Sequence, residues 1–275
     1  FFVKVISSRT YPTEKCNSEN LKGDLLHSGD HYVIRDGQEY YNMMPVWDWD
    51  LLPGVTWSPQ AGKRVARSPF VGGVSDGRGG LTAMDYRFGG GKDKPRPELR
   101  ARKAWLCHGD LVVCLIGDLT TSGISAPVRT ALDQCRLRGA VTVGDGRGRR
   151  TISGGGPAAA AAGRKVGRLV ARGPHELTDV RWLHHHDVAY LMLDPSQLTL
   201  KTGPVTGSWR SINRGLPDGR ASDRVFMPVL EHGTGAKDRS TGYVIAPGIA
   251  AEQAARLASR LPFDLLSNDA RCQAV

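Results

Sequence analysis

The sequence predicts an all-β protein, a large antiparallel β-sandwich with one short helix near its C-terminal end. Three observations carry that expectation. Short alternating or apolar runs recur along the 275 residues, most of them closed by Gly, Pro, Asp or Asn. Nowhere does the pattern alternate strand with helix in the βαβ rhythm of a parallel sheet. One segment alone pairs helix-forming composition with apolar residues at helical spacing. The length suffices to bury a sizeable core, and no composition shift divides the chain, so one domain over 1–275 is expected.

The elements follow in order. Phe1-Phe2-Val3-Lys4-Val5 reads as a strand within a longer polypeptide, with no Met and no leader pattern before it. Further strand-like runs cover 31–35, 104–108, 111–119, 128–137, 140–143, 180–193, 224–230 and 242–246. Residues 250–261 (AAEQAARLASRL) are Ala-rich and place Leu257 and Leu261 one turn apart. Pro247-Gly248 precedes them and Pro262 follows, which sets the limits of the helix. Two stretches read as surface loops, 88–97 (FGGGKDKPRP) and 145–168. The second holds GRGRR, GGG and five consecutive Ala, and is expected to be a flexible basic loop, or else an arm that holds a polyanion.

With 37 Lys and Arg against 27 Asp and Glu, the formal net charge is +10. A basic surface favours a polyanionic partner, whether nucleic acid, acidic polysaccharide or membrane surface, and charge alone does not choose. No run of about 18 apolar residues could span a membrane as a helix. The five cysteines (Cys16, Cys107, Cys114, Cys135, Cys272) are odd in number and lack CxxC spacing, so no disulfide framework is expected; Cys107, Cys114 and Cys135 lie in apolar or alternating runs and are expected to be buried thiols. His184-His185-His186-Asp187 invites a metal reading. Two His on one strand face make only half a zinc site, and a tolerated run is the plainer reading. The glycines at 146–148 and 154–156 lack the GK[ST] of a phosphate loop.

Three segments near the start carry a family resemblance: Ser7-Ser8-Arg9-Thr10, then EKCNSENLKG at 14–23, then PVWDWDLLPG at 45–54. They resemble the opening of the central β-domain of polysaccharide lyase family 8, which includes chondroitin and hyaluronan lyases. Similar motifs follow in the family's order: FVGGVSDG at 70–77, ARKAW at 101–105, DLVVCL at 110–115, VRTALDQC at 128–135, TGSWRSIN at 206–213, EHG at 231–233 and GYVIAPG at 242–248. The resemblance implies a supersandwich of galactose-mutarotase-like architecture over 1–275. An upstream helical catalytic domain and a downstream small β-domain would lie outside this chain.

The implied reaction is β-elimination in a uronic-acid polysaccharide of the chondroitin sulfate or hyaluronan type. A base removes the C5 proton, the neighbouring carboxylate is neutralised, and the leaving oxygen is protonated. In the family those tasks fall to an Asn, a His, a Tyr and an Arg of the helical domain, and none has a matching position here. A Glu of the β-domain orients the Arg and Tyr, and Glu14 matches it. By itself Glu14 could equally be an ordinary exposed acid. Arg9, Asn17, Glu19 and Asn20 are candidate substrate contacts, although the two Asn and Glu19 could simply stabilise a turn. Trp47 and Trp49 would share a strand face and could stack on sugar rings or belong to the core. Asp48 and Asp50 would share the opposite face, where a calcium ion could sit.

No cofactor is otherwise expected. The expected partners are an acidic polysaccharide and the helical lyase domain, with no nucleic acid and no membrane, in an extracellular or periplasmic protein. The alternative is a non-catalytic carbohydrate-binding or scaffold module derived from such a lyase.

Overall fold

The computed structural model describes residues 1–15, 17–62, 68–90, 96–153, 169–170 and 174–275. A two-stranded unit, β1 (Phe2–Val5) with β2 (Ser28–Tyr32), precedes the main sheet. That sheet takes in β3 (Thr56–Trp57), β4 (Val71–Ser75), β5 (Gly79–Gly89), β6 (Glu98–His108), β7 (Leu111–Ser122), β8 (Val128–Ala131) and β9 (Cys135–Arg136). It continues with β10 (Val141–Asp145), β11 (Gly148–Ser153), β12 (Leu169–Val170), β13 (His175–His185), β14 (Val188–Ser208), β15 (Arg220–Gly233) and β16 (Arg239–Pro247). Helix α1 (Ala251–Ser259) and a small pair, β17 (Ser267–Asn268) with β18 (Gln273–Ala274), complete the described elements.

The 21-residue strand β14 makes the sheet fork. One edge pairs with β13. The other pairs first with β16, from Val188↔Pro247 to Met192↔Tyr243, and then with β15, from Leu198↔Leu230 to Ser208↔Arg220. The β16 branch continues through β7, β6 and β5 to β4, and the β15 branch carries β8, β9 and β3. One core joins the two branches, with Tyr86, Phe88 and Trp105 from the first and Phe226 and Leu230 from the second. Burying each such side chain contributes about 2–3 kcal/mol.

The apolar run of β7 is explained by its two covered faces. Val112, Cys114 and Ile116 enter the core between the branches, while Val113 and Leu115 point the other way and meet α1. The helix spans Ala251–Ser259 of the segment expected from its pattern, with Ala250 and Arg260 as its caps. Its Ala254, with Leu257 and Ala258, packs on Ala104, Leu191 and Val244. Gln253 Oε1 accepts the Ala250 N–H at 2.7 Å and closes the N-terminal turn. A third cluster sets Val225, Met227 and Val229 of β15 against Met43, Val46 and Leu51.

Three expectations need correction. Residues 180–193 form a hairpin rather than one strand, because His186 and Asp187 both take positive φ (44° and 60°) in a two-residue turn. Residues 128–137 break at 132–134, where side chains turn inward. Gln134 Nε2 donates to the carbonyls of Asp48 (3.1 Å) and Leu51 (2.9 Å), and Asp133 accepts the hydroxyls of Tyr40 (2.9 Å) and Tyr190. Within 145–168, Gly148–Ser153 is a strand, paired residue for residue with β10; residues 154–168 lie outside the described ones. Residues 91–95 of the other expected loop, and Cys16, also lie outside them. Cys107, Cys114, Cys135 and Cys272 are free thiols.

Candidate functional site

The loop between β1 and β2 carries most of the residues that the sequence singled out. It has little regular structure and is pinned by backbone hydrogen bonds. Ser8 N–H donates to Ser68 O (2.7 Å), Leu21 N–H to Ile212 O (2.8 Å), and Arg214 N–H to Ser18 O (2.9 Å). The loop then turns into a 3₁₀ segment, Gly23–Leu25. A Cβ on Gly23 would overlap the carbonyl of Glu14, so glycine here lets the Glu14 backbone lie directly on that segment.

Glu14 is half-buried, and its carboxylate forms an ion pair with Lys4 of β1. Lys4 pairs across the strands with Asp30 of β2, so the β1–β2 register sets where the ammonium stands. Lys15 Nζ binds both carboxylate oxygens of Asp24, at 3.0 and 2.8 Å, and fixes the other side of Glu14. Asn17 is exposed at φ 44°, a left-handed position that Asn tolerates better than most residues. Asn20 Oδ1 accepts the Lys22 N–H at 3.1 Å, which makes it a turn-former. Glu19 is exposed on the same loop. Arg9 is exposed too, and among the described residues its guanidinium has no ion-pair partner.

Beneath the loop lies a group that the sequence did not reveal. Asp30 is buried, and its Oδ1 accepts the His27 N–H at 2.7 Å. Burial pushes its carboxyl up to about 6, against the opposing pull of that N–H and of Lys4. His27 is buried as well, and neither ring nitrogen meets a partner among the described residues. Burial, followed by the Lys4 charge, lowers its pKa to about 4. The burial of His27 and Asp30 depends on where β2 docks, which the local sequence does not state.

The strand face expected to be shared by Trp47 and Trp49 does not exist. Met44–Val46 is a 3₁₀ turn and Trp49-Asp50 a further turn. Trp49 is 7% exposed, with its Nε1–H on the Met44 carbonyl at 3.2 Å, so it is a core residue without a ring face for a sugar. Trp47 is half-buried; it stacks on Tyr32 (6.1 Å, 19°) and meets Trp49 edge-on (5.5 Å). Asp48 is ion-paired with Lys201 at 3.3 Å. Among the described residues no three His, Cys, Asp or Glu side chains gather as a metal site would need. An ammonium already on Asp48 and the lost strand geometry do not fit the calcium expectation. The histidine run is also engaged: His184 Nε2 lies 2.8 Å from Ile249 O, His185 Nε2 accepts the Arg138 N–H at 2.9 Å, and His186 Nε2 lies 3.1 Å from an Arg138 nitrogen.

A mostly apolar cleft of about 940 Å³ opens elsewhere, lined by Val74, Leu81, Leu106, Leu111 and Phe263 among others; none of the candidate catalytic, sugar-contact or calcium residues lines it.

Residues 1–258 match the family model described as polysaccharide lyase family 8, super-sandwich domain. The chain belongs to polysaccharide lyase family 8. Within this family it is 30% identical to the chondroitinase-AC of Pedobacter heparinus over 290 residues, covering 100% of this chain and 36% of that protein. It is 29% identical to the xanthan lyase of Bacillus sp. strain GL1, covering 98% of this chain and 28% of that protein. It is also 29% identical to a hyaluronate lyase of Thermasporomyces composti, covering 100% and 34%. A solved structure of a chondroitinase AC lyase with oligosaccharides superposes with a TM-score of 0.78 at 28% identity, over 99% of this chain and 37% of that one. A Paenibacillus xanthan lyase at 20% identity shares the fold, with a TM-score of 0.80 over 97% of this chain and 25% of that one. The chain thus spans about a third of the length of the relatives it matches, and it is the super-sandwich part of the family's architecture.

Proposed function

We propose that this chain is the β-wall of a polysaccharide lyase that cleaves a uronic-acid polymer of the chondroitin or hyaluronan type by β-elimination. The observation that supports this most is Glu14, half-exposed on a loop pinned at both ends and held by Lys4. A carboxylate so placed can take a guanidinium from a facing domain through charge-assisted hydrogen bonds and fix its direction. The family resemblance gives the corresponding Glu that task toward an Arg and a Tyr of the helical domain. In this reading Glu14 is a positioning residue. The base, the group that neutralises the uronate and the proton donor come from the helical domain, the principal partner. Arg9, Asn17, Glu19 and Asn20, on the same loop, line the sugar side.

The net charge of +10 suits an acidic polymer. No helix among the described residues is long and apolar enough to cross a membrane. A polymer of this kind does not enter cells freely, so the enzyme acts in an extracellular or periplasmic space. No cofactor enters the proposed chemistry.

The test is to supply a family helical domain in trans and follow the ultraviolet absorbance of the unsaturated uronate product from chondroitin sulfate and hyaluronan. Activity that needs both parts and falls in Glu14→Ala by about 100-fold, chiefly in kcat, supports the reading. Activity indifferent to Glu14 overturns the positioning role. Polysaccharide binding without elimination under any pairing overturns the lyase reading in favour of a carbohydrate-binding module.

A further inference from the structure

Resting on that reading, we infer a second anion-holding platform on this chain, built by Lys22, Arg210 and Arg214, which takes the carboxylate or sulfate groups of the polysaccharide away from Glu14. Two segments 190 residues apart in sequence come together here. The Leu21 N–H donates to Ile212 O at 2.8 Å and the Arg214 N–H to Ser18 O at 2.9 Å, so the loop bearing Glu14 is tied directly to the turn after β14. Lys22 Nζ reaches across to Ser211 Oγ at 3.3 Å. Ser208 caps the Trp209–Ser211 turn by accepting the Arg210 N–H at 3.2 Å, and the Asn213 side chain accepts the Gly215 N–H at 2.8 Å. Both arginines therefore rise from a fixed backbone.

Both are exposed, and neither guanidinium has an ion-pair partner among the described residues. That sets them apart from Arg87, Arg100, Arg102, Arg129 and Arg136, each of which faces a carboxylate. Arg220, paired across the strands with Ser208, adds a further exposed cation. The acids of these two segments near the platform are Glu19 and Asp218, and Asp218 accepts the Ser208 hydroxyl at 2.8 Å. Cations remain in excess. An unpaired guanidinium offers a planar fork that matches carboxylate and sulfate alike. A polymer with one acid in each repeat can engage this platform while another repeat lies beside Glu14.

The experiment measures binding of this chain to size-defined hyaluronan and chondroitin sulfate oligosaccharides at several salt concentrations. It compares the unchanged chain, Arg210→Ala with Arg214→Ala, and the charge-matched control Arg256→Ala with Arg260→Ala, exposed on α1 and at its C-terminal cap. The inference expects the first pair to weaken binding by about tenfold or more and to flatten its salt dependence, with the control within about twofold of the unchanged chain. Loss on both polymers assigns the platform to carboxylates; loss on the sulfated one alone assigns it to sulfates. Equal losses from both pairs, or none from the first, overturn the platform and leave the lyase reading standing. No binding of either polymer by the unchanged chain overturns the platform; the lyase reading is decided separately, by elimination with the helical domain in trans.

Discussion

Replacing Lys103 with Met should stabilise this fold at neutral pH, by an amount that shrinks as the pH rises. Lys103 points from β6 into the core between the branches and is 3% exposed. Its Nζ donates to the Gly54 carbonyl and to Thr56 Oγ1 (3.2 Å), and among the described residues no carboxylate forms an ion pair with it. Burial brings its pKa down from 10.5 to about 7. The rings of Tyr86 (4.7 Å) and Trp105 (5.3 Å) favour the ammonium, by about 2 kcal/mol.

The shift of 10.5 to about 7 corresponds to about 5 kcal/mol against the charged form, fully expressed below pH 7 and gone above the unfolded pKa. Between those limits the unfolded chain holds one proton more than the folded chain, so wild-type stability gains about 1.4 kcal/mol per pH unit from this group. The Met variant lacks that dependence but leaves the Gly54 carbonyl without its donor, a cost of about 1–3 kcal/mol. Denaturant unfolding of both proteins at pH 7, 8, 9 and 10 isolates the effect, because every other titration cancels in the difference. The variant should lead by about 2–4 kcal/mol at pH 7, and the lead should fall by about 1.4 kcal/mol per unit. A difference that stays flat with pH would refute the reasoning.

Other outcomes follow from the same contacts. Thr130→Val removes the hydroxyl that lies 2.7 Å from both Thr56 Oγ1 and His232 Nε2 in the core, and should cost about 2–3 kcal/mol in denaturant unfolding. Gly23→Ala drives a methyl into the Glu14 carbonyl and should cost about 1–3 kcal/mol while raising amide exchange over 14–24. Acid should destabilise the fold steeply. Burial lowers His27 and His31 to about 4 and His185 and His232 to about 3, so near pH 5 the unfolded chain binds almost four more protons at these sites. Buried Asp30 and Asp133, raised to about 6, return almost two on the folded side. The net of about two protons predicts a loss of about 3 kcal/mol per pH unit as pH falls through 5; a slope near zero would contradict the buried neutral histidines.

Much of the fold was legible because its pattern is local. The double-faced runs of β7 and β15 and the Ala-rich α1 between Pro247 and Pro262 each state their own environment. The failures have physical causes. His186-Asp187 makes a tight turn without the Gly or Asn that marks most such turns, so one hairpin read as one strand. Trp47 and Trp49 alternate like a strand, but the 3₁₀ turn Met44–Val46, with Pro45 inside it, removes the common face. At the site, Glu14 could be singled out only through its family resemblance. Its partner Lys4 depends on β1 lying beside β2, and the tie between Ser18 and Arg214 joins segments far apart in sequence, so neither could be read locally.

An NMR titration with a uronic oligosaccharide maps which backbone amides of this chain the polymer perturbs. Shifts should concentrate at 7–9, 14–24 and 209–216. Shifts confined to the apolar cleft around Leu81, Leu106 and Phe263, with the Glu14 loop unmoved, would contradict the polymer's placement beside Glu14.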